Sequence, residues 1–387
     1  MSCVSKKIGI IGGGQLGAMM ILEAKKMGFY ITVLDPTPHC PAHSICDEHI
    51  VADFDDERAI RDLADKSDVV TYEFEHINAA FLKQLEDEGK TVYPTAKSLL
   101  LIQNKLTQKQ LLQKNGIPVA DFIEVKDIND IYNAGKLYGY PFILKTCTGG
   151  YDGKGNYVIK NKEDAENGHK ALGGGSLPLM AEKLFNFKME VSVLACRTPQ
   201  GDVESYPVAE NIHKDSILDE TRVPAEISSA ESKKASDLAA KVMHIFDGVG
   251  MFCVEMFIGK NGEVLVNEVA PRPHNSGHYT IEACLTSQFE QHIRAVSGLP
   301  LGSPELRSPA VMRNILGEEG WEGKTVVEGD SDCLAVKGAY LHIYGKEISK
   351  PKRKMGHITV VADTLDKAAE RANTAKAALI IRGENHI

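Results

Sequence analysis

The stretch Ile8-Gly9-Ile10-Ile11-Gly12-Gly13-Gly14-Gln15-Leu16-Gly17 governs the reading of the fold. Residues 6–11 read as a strand, two lysines leading into the apolar run Ile8-Gly9-Ile10-Ile11. Three glycines then break the pattern, residues 16–27 take up helical apolar spacing, and Gly28 stops it. Residues 29–34 are a second apolar strand, closed by Asp35. Strand, glycine turn, helix and strand in that order make a βαβ unit, whose two strands run parallel. Residues 68–72 supply a further β-branched strand, followed by Glu73-Phe74-Glu75-His76. The first part of the chain therefore reads as α/β, a parallel sheet with helices on both faces.

Gly12-x-Gly14-x-x-Gly17 matches the dinucleotide fingerprint, and Asp35 stands 23 residues after Gly12, where a ribose-binding acid would sit. Glycines let the backbone approach a phosphate, and the helix N-terminus supplies positive potential. On this turn alone NAD leads, with a ligand-free strand–helix turn as the alternative.

A second glycine loop shifts the balance. Gly149-Gly150-Tyr151-Asp152-Gly153-Lys154-Gly155 follows a strand at 141–145 that ends in Lys145. Its N–H groups suit triphosphate oxygens, and Lys145 and Lys154 add point charges. It is not the Gly-x-x-x-x-Gly-Lys-Ser/Thr loop, since no Ser or Thr follows the lysine. Strands at 252–258 and 264–269 flank the turn Lys260-Asn261-Gly262 and read as a hairpin. Glu255 and Glu268 then share a face, with Asn267 beside them, a hard-oxygen set suited to Mg²⁺ bridging phosphates. Solvated strand carboxylates are the bland alternative. Arg272-Pro273-His274-Asn275-Ser276-Gly277-His278 follows as a dense donor set on a shaped loop. Near the C-terminus Lys346, Lys350, Lys352, Arg353, Lys354 and His357 form a basic group, either a solvated surface or a phosphate-binding edge. His39, Cys40, His43, Cys46 and His49 cluster without a common zinc spacing.

Helices are expected at 104–115, 231–246 and 365–378, and strands at 180–184, 190–195, 203–207, 310–315, 335–343 and 357–361. Strands mixed with helices make the later regions α+β. The 387 residues carry 53 acidic against 44 basic side chains, a net charge of −9. That balance argues against wrapping nucleic acid. No run approaches the ~20 apolar residues of a membrane span, so no membrane contact is expected. The N-terminus lacks the apolar core of a signal peptide and the eight cysteines are scattered, so a cytoplasmic protein with free thiols is expected.

Together these segments resemble the ATP-grasp superfamily. Within it they are similar to the branch that makes 5-(carboxyamino)imidazole ribonucleotide from aminoimidazole ribonucleotide, bicarbonate and ATP in purine biosynthesis. The segments that carry the resemblance are Gly-Gly-Gly-Gln-Leu-Gly at 12–17, Thr-Tyr-Glu-Phe-Glu at 71–75 and Gly-Gly-Tyr-Asp-Gly-Lys-Gly at 149–155. Asn-Glu-Val-Ala-Pro-Arg-Pro-His-Asn-Ser-Gly-His at 267–278 and Arg-Lys-Met-Gly-His at 353–357 complete it. The resemblance implies a Rossmann-like pre-ATP-grasp domain over 1–100, an ATP-grasp domain over 101–300 and a small β-rich domain over 301–387. It also reassigns the first glycine turn from a nicotinamide cofactor to the ribonucleotide.

The same resemblance implies the site residues. Lys105 and Lys145 contact ATP phosphates, under a loop of Gly150, Tyr151, Asp152, Gly153, Lys154 and Gly155. Glu182, Lys183, Leu184 and Phe185 form the adenine strand, Glu190 holds the ribose, and His213 lies near the nucleotide. Glu255 and Glu268 hold Mg²⁺ with Asn267 alongside. Gln15, Leu16, Glu73, Asp152, Lys346 and Arg353 contact the ribonucleotide, the last two at its phosphate. Arg272, His274 and Asn275 line the space where bicarbonate is activated, with Asp152 also counted as catalytic. A homodimer is implied, and the product would pass to a separate mutase. A formate-dependent glycinamide ribonucleotide transformylase is the nearest alternative, and an NAD-linked oxidoreductase or a nucleotide sensor are more distant ones.

Overall fold

The computed structural model describes residues 6–150 and 154–387. The N-terminal sheet holds Glu48–Ile50, Tyr30–Leu34, Lys7–Ile11 and Val69–Tyr72 in that spatial order, all parallel. Its strands are apolar on both faces because both are covered. On one face Ile8, Ile10 and Val33 pack with Met20 and Ala24 of the helix Gln15–Lys26. Phe289 and Ile293, from the distant helix Gln288–Ser297, join that cluster. On the other face Ile11, Leu34 and Val70 meet Ile60, Leu63 and Leu82 from the helices Glu57–Lys66 and Ala79–Asp87.

A second sheet is antiparallel, in the order Phe122–Val125, Leu179–Lys183, Phe142–Thr146 and Asn156–Ile159. The helices Ile128–Tyr138 and Ala165–Ala171 close its apolar side. The third sheet is the largest. Along its main path run Val264–Ala270, Gly250–Gly259, Phe187–Arg197, Ala209–Lys214, Ile217–Val223, Ala310–Leu316, Lys354–Val361 and Ala339–Ile343. The strands expected beyond residue 300 thus extend the sheet before them, through the antiparallel pair Ile217–Val223 and Ala310–Leu316. Arg313 reinforces that seam by reaching Asp219 at 2.9 Å and also Glu220. A small sheet of Ile348–Ser349, Trp321–Glu328 and Ile380–His386 packs at the C-terminal end.

The hairpin around 260–262 forms as expected. The expected strand at 335–343 is shorter: a helix runs over Asp330–Ala335, Gly338 turns with φ +85°, and the strand begins at Ala339. Ala209–Lys214 and Ile217–Val223 were not anticipated. Their charged residues interrupt the apolar alternation, so no clear period of two shows, yet they pair antiparallel in the middle of the sheet.

Candidate active site

A cavity of about 820 Å³ opens where the three sheets meet. Gln15, Leu16 and Glu73 line it from the N-terminal sheet. Lys105, Gly149, Gly150 and Lys154 line it from the middle of the chain. Glu190, His213, Glu255, Asn267, Glu268, Arg272, His274 and Asn275 line it from the large sheet and the loop after it. A smaller cavity of about 320 Å³ shares Gln15 with the first and is lined by Lys346, Arg353, Asp35 and Thr37. Gln15 and Asn275, which both line the larger cavity, are 260 residues apart in the chain, so the site exists only in the folded protein.

The first glycine turn is filled by the protein itself. Gly14 N–H and Gly17 N–H each donate to a different oxygen of Glu73, both at 2.6 Å. Gly13 N–H donates to Asp35 at 2.8 Å, and Thr37 N–H takes the other Asp35 oxygen at 2.8 Å. Burial pushes the Glu73 carboxyl up, against the pull of the Gly17 and Gly14 amides. The helix N-terminus that would receive a dinucleotide phosphate is therefore already capped by a carboxylate, and the acid read as a ribose ligand is spent on the backbone. Gly12 takes φ +102° in this turn, and a Cβ on Gly17 would stand 2.4 Å from the Gly12 carbonyl oxygen. This geometry disposes of the NAD reading and leaves Gln15 and Leu16 facing the cavity.

Glu255 and Glu268 are direct cross-strand partners, and the register slips immediately beyond them, which leaves Asn267 as the extra residue. Burial and then the facing Glu268 push the Glu255 carboxyl up to about 7. Burial also opposes ionisation of Glu268, but Lys105, together with Lys145 and Lys109, outweighs it and holds that carboxyl below its ordinary value. The Lys105–Glu268 ion pair is 2.6 Å long. Two carboxylates in mutual repulsion plus one amide suit a divalent cation that takes its other ligands from water and phosphate. Among the described residues no three His, Cys, Asp or Glu side chains are arranged to hold a metal unaided. The site fits a cation shared with a substrate, not a closed protein cage.

The 272–278 loop closes the cavity beside this pair. Arg272 Nε meets Glu75 at 2.9 Å. His274 Nε2 lies 3.3 Å from Glu255. Burial, then Arg272 and Lys354, hold the His274 imidazole neutral, well below its ordinary pKa. Among the described residues the buried side-chain oxygen and nitrogen of Asn275 have no hydrogen-bond partner, an unmet demand aimed at the cavity. Across the floor, His213 Nδ1 pairs with Glu190 at 2.9 Å. Burial disfavours the His213 cation, but Glu190 outweighs it and raises its pKa.

Other expected residues lie apart from the cavity. Lys145 does not line it: its ammonium meets Glu182 at 2.8 Å, and Lys109 meets the same carboxylate at 2.7 Å. Lys183 reaches Asp121 at 3.3 Å, Leu184 is exposed, and Phe185 packs toward Phe257. Gly155 turns at φ +83°. Tyr151, Asp152 and Gly153 lie outside the described residues. In the smaller cavity the Lys346 ammonium donates to the Lys354 carbonyl at 2.7 Å. Burial, then Arg353, lower the Lys346 pKa to about 8. In the His/Cys cluster His43 and His49 meet at 3.1 Å and Cys40 reaches His49 at 3.9 Å, and no three of these side chains form a metal group. The sequence reading missed Lys109 as a partner of Glu182, although its i,i+4 spacing from Lys105 on the helix Lys105–Lys114 was visible.

Three family models match the chain: a ribonucleotide synthetase preATP-grasp domain over residues 5–103, an ATP-grasp domain over 110–289, and a phosphoribosylaminoimidazole carboxylase C-terminal domain over 310–371. The N5-carboxyaminoimidazole ribonucleotide synthase of Bacillus subtilis strain 168 is 47% identical over 361 residues, covering 93% of this chain and 92% of that one. The enzyme of the same name from Staphylococcus aureus strain COL is 43% identical over 369 residues, covering 94% of each chain. Among solved structures, the N5-carboxyaminoimidazole ribonucleotide synthetase of Thermotoga maritima matches with a TM-score of 0.90 and 49% identity, over 98% of this chain and 100% of that one. The N5-carboxyaminoimidazole synthase of Aspergillus clavatus, in complex with ADP and 5-aminoimidazole ribonucleotide, matches with a TM-score of 0.90 and 37% identity, over 97% and 99%.

Proposed function

This chain belongs to the N5-carboxyaminoimidazole ribonucleotide synthase family of ATP-grasp ligases, and on that footing we propose how its own residues perform the ATP-dependent carboxylation of 5-aminoimidazole ribonucleotide. The observation that carries the assignment of roles is one cavity that joins the Glu255–Glu268 pair to Arg272, His274 and the unpaired amide of Asn275.

The triphosphate of ATP lies along this acidic pair, under the 149–155 loop, with Lys105 and Lys154 offsetting its charge. Glu182, Lys183, Leu184 and Phe185 flank the adenine through their backbone, Glu190 takes the ribose, and His213 lies beside it. The Lys145–Glu182–Lys109 cluster supports a role for Lys145 that begins by leaving or sharing Glu182 with a phosphate. Glu255, Glu268 and Asn267 would hold Mg²⁺, which would supply positive charge against the phosphates of the nucleotide.

A bicarbonate oxygen attacks the γ-phosphorus and the bond to the ADP oxygen breaks, giving carboxyphosphate. Arg272 and Asn275 hold the bicarbonate oxygens, which offsets the repulsion between two anions. The exocyclic amine of the ribonucleotide then attacks the carboxyl carbon, or CO₂ released from it. Phosphate departs and the amine loses a proton. His274, neutral and beside Glu255, is placed to accept that proton. Gln15, Leu16 and Glu73 position the ribonucleotide, and Lys346 and Arg353 in the adjoining cavity take its phosphate. Asp152 completes the catalytic set, and closure of its loop keeps water from carboxyphosphate. Homodimer formation, a cytoplasmic setting and transfer of product to a separate mutase belong to the same proposal. Among the described residues no helix is long and apolar enough to cross a membrane.

The test is ADP release with each component omitted in turn. Release should require the aminoimidazole ribonucleotide and bicarbonate together. Release that instead requires formate and glycinamide ribonucleotide would overturn the proposal.

A further inference from the structure

Among the described residues the loop that carries Arg272, His274 and Asn275 pairs with no strand, yet both peptide groups of His274 are held by one side chain. Gln288, the first residue of the helix Gln288–Ser297, is fully buried beneath it. The Gln288 side-chain oxygen accepts from His274 N–H at 2.8 Å, and its amide nitrogen donates to His274 C=O at 2.7 Å. One side chain thus meets both peptide groups of a single residue, as a neighbouring strand would, and the His274 carbonyl accepts a second, local bond from Gly277 N–H at 2.9 Å. The same amide nitrogen stands 3.4 Å from His278 Nδ1. Gln288 N–H donates to Thr280 Oγ1 at 2.9 Å, and that hydroxyl donates to Gly277 C=O at 2.6 Å. Gly277 has no room for a side chain, since a Cβ there would meet Gln288 Oε1 at 2.5 Å.

The helix is itself registered to the rest of the site. His292, one turn further along, accepts Met251 N–H at 3.0 Å and meets Thr71 Oγ1 at 2.7 Å. Met251 lies on the strand that bears Glu255, and Thr71 lies two residues before Glu73. The helix therefore ties the His274 backbone, the Glu255 strand and the ribonucleotide side of the cavity into one frame.

We infer that Gln288 is a positioning residue for the carboxylation: its amide clamps His274, and with it the adjoining Asn275, at the working distance from the Glu255–Glu268 pair. The inference rests on the roles proposed above for His274 and Asn275. The reaction needs these groups placed within a fraction of an ångström, and no other side chain grips the His274 peptide groups among the described residues.

Gln288→Met keeps length and volume but removes both bonds. It should lower kcat for bicarbonate- and ribonucleotide-dependent ADP release by about 10²-fold, the scale of a 1 Å misplacement, and leave the KM for ATP within about twofold. Gln288→Glu supplies the second readout. When protonated, the introduced carboxyl offers the same acceptor and donor as the amide, and when ionised it repels the His274 carbonyl. The titratable groups that face it are His274 and His278, both kept neutral by burial. The activity of Gln288→Glu relative to the unmodified protein should therefore rise as pH falls from about 8 to about 6, while the ratio for Gln288→Met stays flat. A normal kcat in Gln288→Met overturns the inference. If that variant does not fold, a flat ratio for Gln288→Glu overturns it equally. Absence of dependent ADP release in the unmodified protein would instead sink the proposed function itself.

Discussion

Replacing Glu182 by Gln tests how the nucleotide-binding sheet is held together. The Glu182 carboxylate is almost completely buried between Lys109 at 2.7 Å and Lys145 at 2.8 Å. Burial alone would raise its pKa, but Lys145 and Lys109 outweigh burial and hold it at about 2, against an ordinary 4.5. By linkage, that depression contributes roughly 3 kcal/mol of stability at neutral pH. A second route reaches a similar figure, because removing one partner of a buried ion pair strands the others and costs about 3–5 kcal/mol. Glu182→Gln is nearly isosteric, so the loss reflects charge and not a cavity. Thermal unfolding at neutral pH should show a midpoint lower by on the order of 10 °C. The sign with pH follows from the depressed pKa. The advantage of the unmodified protein is complete above about 4.5 and disappears as pH falls through about 2. Adding Lys109→Met to Glu182→Gln removes one stranded ammonium and should recover part of the loss. A Glu182→Gln variant within about 1 kcal/mol of the unmodified protein would refute the reasoning, because that is the range of ordinary substitutions.

Three further outcomes follow from the site. Glu268→Ala should reduce ribonucleotide-dependent ADP release at least ~10²-fold, the scale of one important electrostatic group, and near-normal turnover would remove the carboxylate pair from catalysis. Lys346→Ala should raise the KM for the ribonucleotide far more than that for ATP. In the unmodified protein the ribonucleotide KM should climb as pH rises through about 8, where the Lys346 ammonium loses its proton, and a flat profile there would contradict its phosphate role. Gly17→Ala forces a Cβ to 2.4 Å from the Gly12 carbonyl and should cost about 1–3 kcal/mol of stability with loss of ribonucleotide binding, measured by unfolding and by ligand titration.

Much of the site was visible in residue order. The hairpin follows from two β-rich runs around Asn261-Gly262, but plain alternation from that turn would set Glu255 opposite Asn267, and only the register slip at Asn267 brings Glu268 across from Glu255. The first glycine turn was visible as a turn but misleading as a ligand site when read alone, because its N–H groups are taken by Glu73, 59 residues from Gly14. Lys145 read naturally as a phosphate ligand from its place beside the second glycine loop. Its engagement with Glu182 and Lys109 depends on how a helix and two strands pack, which no local pattern records. Gln288 looked like any polar residue at the start of a helix, and only the fold brings it under His274.

By itself the sequence determined where chain segments become helix, strand or glycine turn, because periodicity, capping and backbone freedom act across a few neighbouring residues. It also determined the kinds of chemical group available to the site. The tertiary structure alone decided which carboxylate meets which cation, and which amide is left unpaired to face the cavity. Those choices depend on contacts between segments far apart in the chain, where sheet register and burial, and not local pattern, set distance and charge.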